Sequence, residues 1–266
     1  MAEISLKNPH ESTAIKEENE DWHDTEADFY DHIRSELWNF YEQRRISRDV
    51  KTIDTITTGN NVVDIGSGTG NLVLKFAQLG YNVDAVDISE NMLDVLRSKV
   101  DAKMEKQVSY HHSEANSFLN NNTLNPDVIC FSSVLHHLPD YFETLTKAIS
   151  QLKSGGIVYI VHEPLPDKLQ RKNTWLKYLD HLLTPRSSFK KWKAPEKESD
   201  LVDYHIDELS GINLEKLHNF FGNQNLQVVE HNKYCIWKSG ILTGIDEVFD
   251  LNEKSDFKII ARKPEK

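Results

Sequence analysis

The chain has 266 residues, 27% of them charged and 38% hydrophobic, and a formal net charge of −11. That length holds one α/β domain with an insertion, and that charge argues against broad attraction to DNA or other polyanions. Two cysteines without paired spacing indicate neither a disulfide framework nor a zinc cluster, and a polar start with no apolar run of ~18 residues points to a cytoplasmic protein.

Residues 1–21 are acidic and poor in large apolar groups, which predicts a mobile tail ahead of one domain over 22–266. Tyr30, Ile33, Leu37 and Tyr41, then Ile46, Val50 and Ile53, recur at helical spacing, as one long helix or two broken near Arg44. The apolar run 62–65 reads as a buried strand. Gly66, Gly68 and Gly70 then turn the chain into a helix carried by Leu72, Val73, Phe76 and Leu79 and stopped at Gly80. Glycine permits both the tight turn and close approach of backbone to a ligand, and the helix start offers free N–H groups. Asp64 stands inside the apolar strand, where an unpaired charge is costly. A second strand ends at Asp87, 17 positions after Gly70, about where an acid meets ribose hydroxyls in dinucleotide-type folds. Ser89 caps the next helix, whose buried face is Met92, Leu93, Leu96 and Val100. On these residues alone a nucleotide-like cofactor site and a glycine turn that binds nothing both stand.

The words Val63-Asp64-Ile65-Gly66-Ser67-Gly68-Thr69-Gly70 and Val86-Asp87-Ile88-Ser89-Glu90-Asn91-Met92-Leu93 resemble the first two motifs of class I S-adenosylmethionine-dependent methyltransferases, particularly the UbiE-like small-molecule and lipid group. Ser113-Glu114-Ala115 partly matches that family's Gly-Asp-Ala word, and Leu135-His136-His137-Leu138-Pro139-Asp140 is typical of the same group. Trp22, Ala27 and Tyr30-Asp31 resemble the word that covers the cofactor there. The resemblance implies S-adenosyl-L-methionine as cofactor, surrounded by Tyr30, Asp64, Gly66, Ser67, Gly68, Gly70, Asp87, Ile88, Met92, Glu114, Ala115 and Ser132. It also implies an α/β, Rossmann-like, mostly parallel seven-stranded sheet with helices on both faces and an antiparallel last strand.

Further strands are predicted over 107–112, 127–133 and 157–161, the last delivering His162 and Glu163 to its end. His111 and His112 read as strand histidines facing solvent or a polar edge, and Pro139 suits a first helical position before Phe142, Leu145, Ile149 and Leu152. A helix through Leu214, Leu217, Phe220 and Phe221 and strands over 226–230 and 257–261 complete the pattern.

Methyl transfer to a small-molecule or lipid acceptor is the function this implies. A base, if the acceptor needs one, comes from His136, His137, Glu163 or His205. The strand at 127–133 is not followed by Asn-Pro-Pro-Tyr, the word of planar-amine methylation, which argues against a DNA substrate. RNA is a weaker option, and a nicotinamide oxidoreductase or a cofactor-binding scaffold without turnover are the other classes.

The insertion 164–210 is expected to be a mobile cap that selects the acceptor. From Glu163 to Glu198 it carries nine basic and five acidic residues, net +4, among Trp175, Tyr178, Phe189 and Trp192. It reads as a pocket for an apolar acceptor with an anionic end, as a segment resting on a membrane, or as an ordinary helix with a leucine face inward.

Overall fold

The computed structural model describes residues 9–121, 124–166, 174–184, 211–251 and 254–265. Strands β1 (Asn61–Ile65), β2 (Asn82–Asp87), β3 (Val108–His112), β4 (Val128–Ser132), β5 (Ile157–Pro164), β6 (Gln227–Tyr234) and β7 (Asp256–Arg262) form one sheet in the order β3-β2-β1-β4-β5-β7-β6. The first five are parallel, and β7 runs antiparallel to both β5 and β6. Chain direction across the sheet reverses between β1 and β4, which opens a crevice at their C-terminal ends.

The described helices are α1 (Pro9–Glu26), α2 (Tyr30–Ile33), α3 (Ser35–Trp38), α4 (Phe40–Ile56), α5 (Asn71–Gln78), α6 (Glu90–Lys99), α7 (Ala115–Asn121), α8 (Tyr141–Gln151), α9 (Thr174–Leu183), α10 (Leu214–Asn223) and α11 (Gly240–Phe249). Alternate strand residues feed two cores. Val62, Val83, Cys130 and Tyr159 meet Ile46, Val50, Ile53, Leu72, Phe76 and Leu93 on one face. Val63, Val86, Phe131 and Ile160 meet Phe118, Leu145, Ile149, Leu217 and Phe221 on the other. Burial on both faces is why β1, β4 and β5 read as continuous apolar runs. Among the described residues no helix is long and apolar enough to cross a membrane.

Several expectations are corrected. The predicted mobile tail over 1–21 is ordered from Pro9 as α1, with Ile15 fully buried. Its inner face also buries Asn19, which donates to Ile15 O at 2.8 Å, and Glu26, which meets His23 at 2.9 Å, so a polar stripe hides the helix from hydrophobic periodicity. The helical break lies at Arg34 and Asn39, not near Arg44. Asn39 Oδ1 accepts the Glu42 N–H at 3.0 Å and starts α4 there. Helix α8 begins at Tyr141, capped by Asp140, so Pro139 precedes the helix. Strand β5 continues to Pro164 because β7 pairs with its end, which places His162 and Glu163 inside the sheet. Helix α11, between β6 and β7, carries no signal in the sequence reading.

Candidate active site

The glycine turn is pinned to the sheet: Gly66 and Ser67 donate their N–H groups to Val86 O at 2.9 and 3.0 Å. All three glycines have positive φ, so each backbone is one that side chains disfavour. Their surroundings differ. A Cβ on Gly66 would lie 2.5 Å from Val134 Cγ2, and one on Gly70 would lie 2.2 Å from Leu96 Cδ1, whereas one on Gly68 meets nothing within 4 Å. Gly66 and Gly70 are therefore packing glycines, and Gly68 turns bare backbone to open space.

Asp87 closes β2 and accepts from Gly68 N at 2.7 Å and from Ser89 N at 2.9 Å. Burial pushes its carboxyl above the usual range against the pull of those N–H groups. A carboxylate offers about four lone-pair sites, so acceptor capacity remains for a ligand hydroxyl. Beneath it Asp64 is 1% exposed, and its Oδ1 is a buried atom without a hydrogen bond. Burial first, then the Asp87 charge, pushes Asp64 up to about 8.

Over this turn lies a cleft. Its floor is Ile65, Gly66, Gly68, Val86, Asp87, Ile88 and Met92, its far wall Ser113, Glu114, Ala115 and Pro139, and its roof Ile15, Lys16, Asn19, His23 and Tyr30 from the N-terminal helices. The roof is tied down at both ends. Asp24 accepts the Ser89 hydroxyl at 2.5 Å and Asn91 N at 3.3 Å, while Asp31 accepts the Thr69 hydroxyl at 2.6 Å and pairs with Lys99. Glu114 turns its carboxylate to Ser117 N at 2.9 Å; burial would raise it, but N–H groups of Asn116 and Ser117 and the Lys16 charge hold it low.

A second chamber adjoins the cleft, and His23, Tyr30, Ser133 and His137 line both. The chamber is completed by Arg34, Glu36, Leu37, His136, His162, Lys177, Asp180, Ile236, Trp237, Lys238 and Asp256. His137 rides on the 3-10 turn Leu135–His137, which Glu163 builds. The fully buried Glu163 carboxylate accepts N–H groups of Val134 (2.8 Å), Leu135 (2.9 Å) and His136 (3.2 Å), and meets His136 Nδ1 at 2.8 Å. The His137 ring stands 4.1 Å from that of His136 and 5.3 Å, edge-on, from that of His23. Despite these histidines, no cluster among the described residues has metal-holding geometry.

Of the cofactor residues expected from sequence, Tyr30, Gly66, Gly68, Asp87, Ile88, Met92, Glu114, Ala115 and Ser132 line the cleft. Asp64, Ser67 and Gly70 do not: Asp64 is buried in β1, and Ser67 and Gly70 belong to the turn without facing the cleft. Of the expected bases, His137 lines both cavities and His136 the chamber only, Glu163 is buried behind the turn, and His205 lies outside the described residues. His111 and His112 are polar-edge residues as read, bonding Asp84 at 2.8 Å and Ile88 O at 2.9 Å. Ile15, Lys16, Asn19 and His23 of α1 and the Ile236–Lys238 wall depend on long-range packing and carry no mark in the sequence. The sequence reading placed His162 at the strand end but gave it no role.

The methyltransferase domain family matches residues 30–231. The chain belongs to this family. It is similar to a ubiquinone biosynthesis O-methyltransferase of Aromatoleum aromaticum, 33% identical over 38% of this chain and 43% of the relative. A demethylmenaquinone methyltransferase of Bacillus cereus is 27% identical over 59% of this chain and 67% of its own length. The chain thus aligns with less than half of the first relative and about two thirds of the second. Among solved structures, a magnesium protoporphyrin IX methyltransferase from Synechocystis PCC 6803 with bound SAM shares the fold, with a TM-score of 0.59, 14% identity, and 94% of this chain and 97% of that one covered. A structure described as a [4+2]-cyclase also shares it, at a TM-score of 0.53, 12% identity, and coverage of 83% and 81%. The fold is that of S-adenosylmethionine-dependent methyltransferases, and site residues must decide the chemistry built on it. The antiparallel β7 between β5 and β6 also separates this sheet from the dinucleotide order 3-2-1-4-5-6, which argues against the nicotinamide reading.

Proposed function

We propose that the protein transfers the methyl group of S-adenosylmethionine to a small acceptor held in the chamber beside the cleft. The observation that carries this is the meeting of two cavities at Tyr30, His23, Ser133 and His137, on the crevice between β1 and β4. The cleft fits the cofactor: open space over Gly68 admits a ligand against bare backbone, and Asp87 keeps acceptor capacity for ribose hydroxyls. Ile88 and Met92 offer an apolar face to adenine, with Ala115 and Glu114 opposite. When bound, S-adenosylmethionine supplies an electrophilic methyl on a positive sulfur. The chain's own task is then to align acceptor and cofactor and exclude water, which α1 does by roofing the cleft.

His137 is the histidine set to take a proton from a hydroxyl or ammonium acceptor, because it faces both cavities. Glu163, with His136, is a positioning residue: its four bonds fix the turn that presents His137. The acceptor class we favour is a quinone-type or related aromatic molecule. The names of the two relatives support it, as do the Tyr30, Leu37, Ile236 and Trp237 surfaces of the chamber. The deciding experiment is calorimetry with S-adenosylmethionine, S-adenosylhomocysteine and NAD, followed by a labelled-methyl screen of quinone-type compounds and a lipid extract. Binding of NAD alone overturns the cofactor assignment. Binding of S-adenosylmethionine with no labelled product favours a scaffold without turnover.

A further inference from the structure

His162 is held in a conformation that ordinary side chains avoid. Its φ is +61°, in the left-handed region that non-glycine residues rarely adopt, and the β5–β7 register shifts between Ile160 and Glu163. Two bonds hold its backbone there: its N–H donates to Tyr234 Oη at 3.0 Å, and its carbonyl accepts the Ser133 hydroxyl at 3.1 Å. The ring so placed joins two elements far apart in sequence. Nε2 lies 2.7 Å from Glu42 Oε1 on α4, and Nδ1 lies 3.3 Å from Ser132 Oγ, at the end of β4 in the cofactor cleft. Glu42 is fully buried and pairs through Oε2 with Arg45.

The hydrogen-bond partners assign one tautomer to the chain. Burial would raise the Glu42 carboxyl, but His162 and Arg45 hold it below the ordinary range, so it is ionised and can only accept. The hydrogen shared with His162 is therefore on Nε2. With Nε2 donating to Glu42, the tautomer that matches both ring contacts leaves Nδ1 without a hydrogen. Nδ1 is then an acceptor and takes the Ser132 hydroxyl hydrogen. Ser132 Oγ is left with lone pairs alone toward the cleft.

We propose that the Glu42–His162–Ser132 chain is a positioning device that turns a hydroxyl oxygen toward the positive charge of the cofactor, and so distinguishes the sulfonium from the thioether product. This rests on reading the cleft as the S-adenosylmethionine site. The location supports it: Ser132 is adjacent to Ser133, which lines both cavities, and a methyl passed between them must cross that junction. Glu42 and His162 touch no ligand and act through Ser132.

The test is calorimetry of S-adenosylmethionine and S-adenosylhomocysteine with the full chain and its Ser132→Ala, His162→Asn, Glu42→Gln and Ser132→Ala/His162→Asn variants. Asparagine tolerates the left-handed backbone at 162. Ser132→Ala is expected to weaken S-adenosylmethionine about tenfold, the scale of a hydrogen bond to a charged group, and S-adenosylhomocysteine less than twofold. His162→Asn and Glu42→Gln are expected to shift the same ratio, and the double variant to match Ser132→Ala because the three act as one unit. Parallel loss of both ligands, additive effects, or an unchanged ratio in Ser132→Ala overturns the proposal, and the last decides even if the buried variants fail to fold. A parent chain that binds neither ligand instead overturns the cofactor reading itself.

Discussion

At the scale of single residues, the three glycines of one turn do different work, and this is directly testable. In Gly70→Ala the new Cβ meets Leu96 at 2.2 Å in a backbone with φ +93°, so a loss of ~1–3 kcal/mol in stability is expected from urea unfolding. Gly68→Ala meets no protein atom, so its stability loss is expected to be the smaller of the two while S-adenosylmethionine affinity falls at least tenfold by calorimetry. Equal affinity in parent and Gly68→Ala would remove that backbone from the binding site. Asp64 makes a separate prediction about pH. Its folded carboxyl is raised to about 8 from an ordinary value of 3.8, so between those limits the folded state keeps a proton the unfolded chain has lost. Its contribution to stability is thus present at low pH and is lost as pH rises toward 8, at up to ~1.4 kcal/mol per unit. The ligand-free Asp64→Asn variant is expected to gain stability relative to the parent from pH 5 to pH 8 in urea titrations. Identical slopes for the two proteins would show that Asp64 is ionised in the fold.

At the scale of elements, the sheet and its glycine turn were legible because their signals are local. A buried strand, a turn with positive φ and a capped helix each leave a mark within a few residues, as Ser89 does by accepting the Met92 N–H at 3.1 Å. The roof was legible only through Trp22, Ala27 and Tyr30-Asp31; the rest of α1 was not, because it is held by polar contacts that only the folded chain brings together. Asp24 reaches Ser89 and Asn91, 65 and 67 positions away. The same holds for Glu42, which meets His162 across 120 positions. Propensity also failed at Pro139, where Asp140 makes the cap and the proline stays outside. From the roof's fastening we expect Asp24→Ala to loosen α1 without unfolding the sheet. Protease cleavage within 9–26 should accelerate and S-adenosylmethionine should bind several-fold more weakly, while the main urea transition moves by no more than ~1–2 kcal/mol. Unchanged cleavage and affinity would mean that α1 is held by Ile15 and its neighbours alone.

At the scale of the whole molecule, the question is how an acceptor reaches the chamber, and α9 bears on it from two sides. Lys177 and Asp180 line the chamber, and Asp180 anchors the wall by accepting N–H groups of Lys238 at 3.1 Å and Ser239 at 2.7 Å. Leu176 and Leu179 pack against the small cluster of Cys235, Trp237 and Leu242, so part of the helix is the ordinary inward leucine face that the sequence allows. Trp175, Tyr178 and Leu182 occupy the remaining stripe at 70%, 63% and 60% exposure, at spacings of three and four residues. The stripe lies in the sequence from Glu163 to Glu198, which is net +4 although α9 itself carries only the charges of Lys177 and Asp180, in a chain whose total charge of −11 would otherwise repel anionic lipid. If the acceptor is lipid-borne, docking through this stripe would bring the chamber wall to the bilayer. The expected outcome is co-sedimentation with vesicles containing anionic phospholipid, weaker with neutral vesicles and weakened further by salt. A Trp175→Ser/Tyr178→Ser/Leu182→Ser variant should lose most of that binding and keep its affinity for S-adenosylmethionine. Equal sedimentation of parent and variant would make the stripe incidental and send the acceptor to the chamber through water.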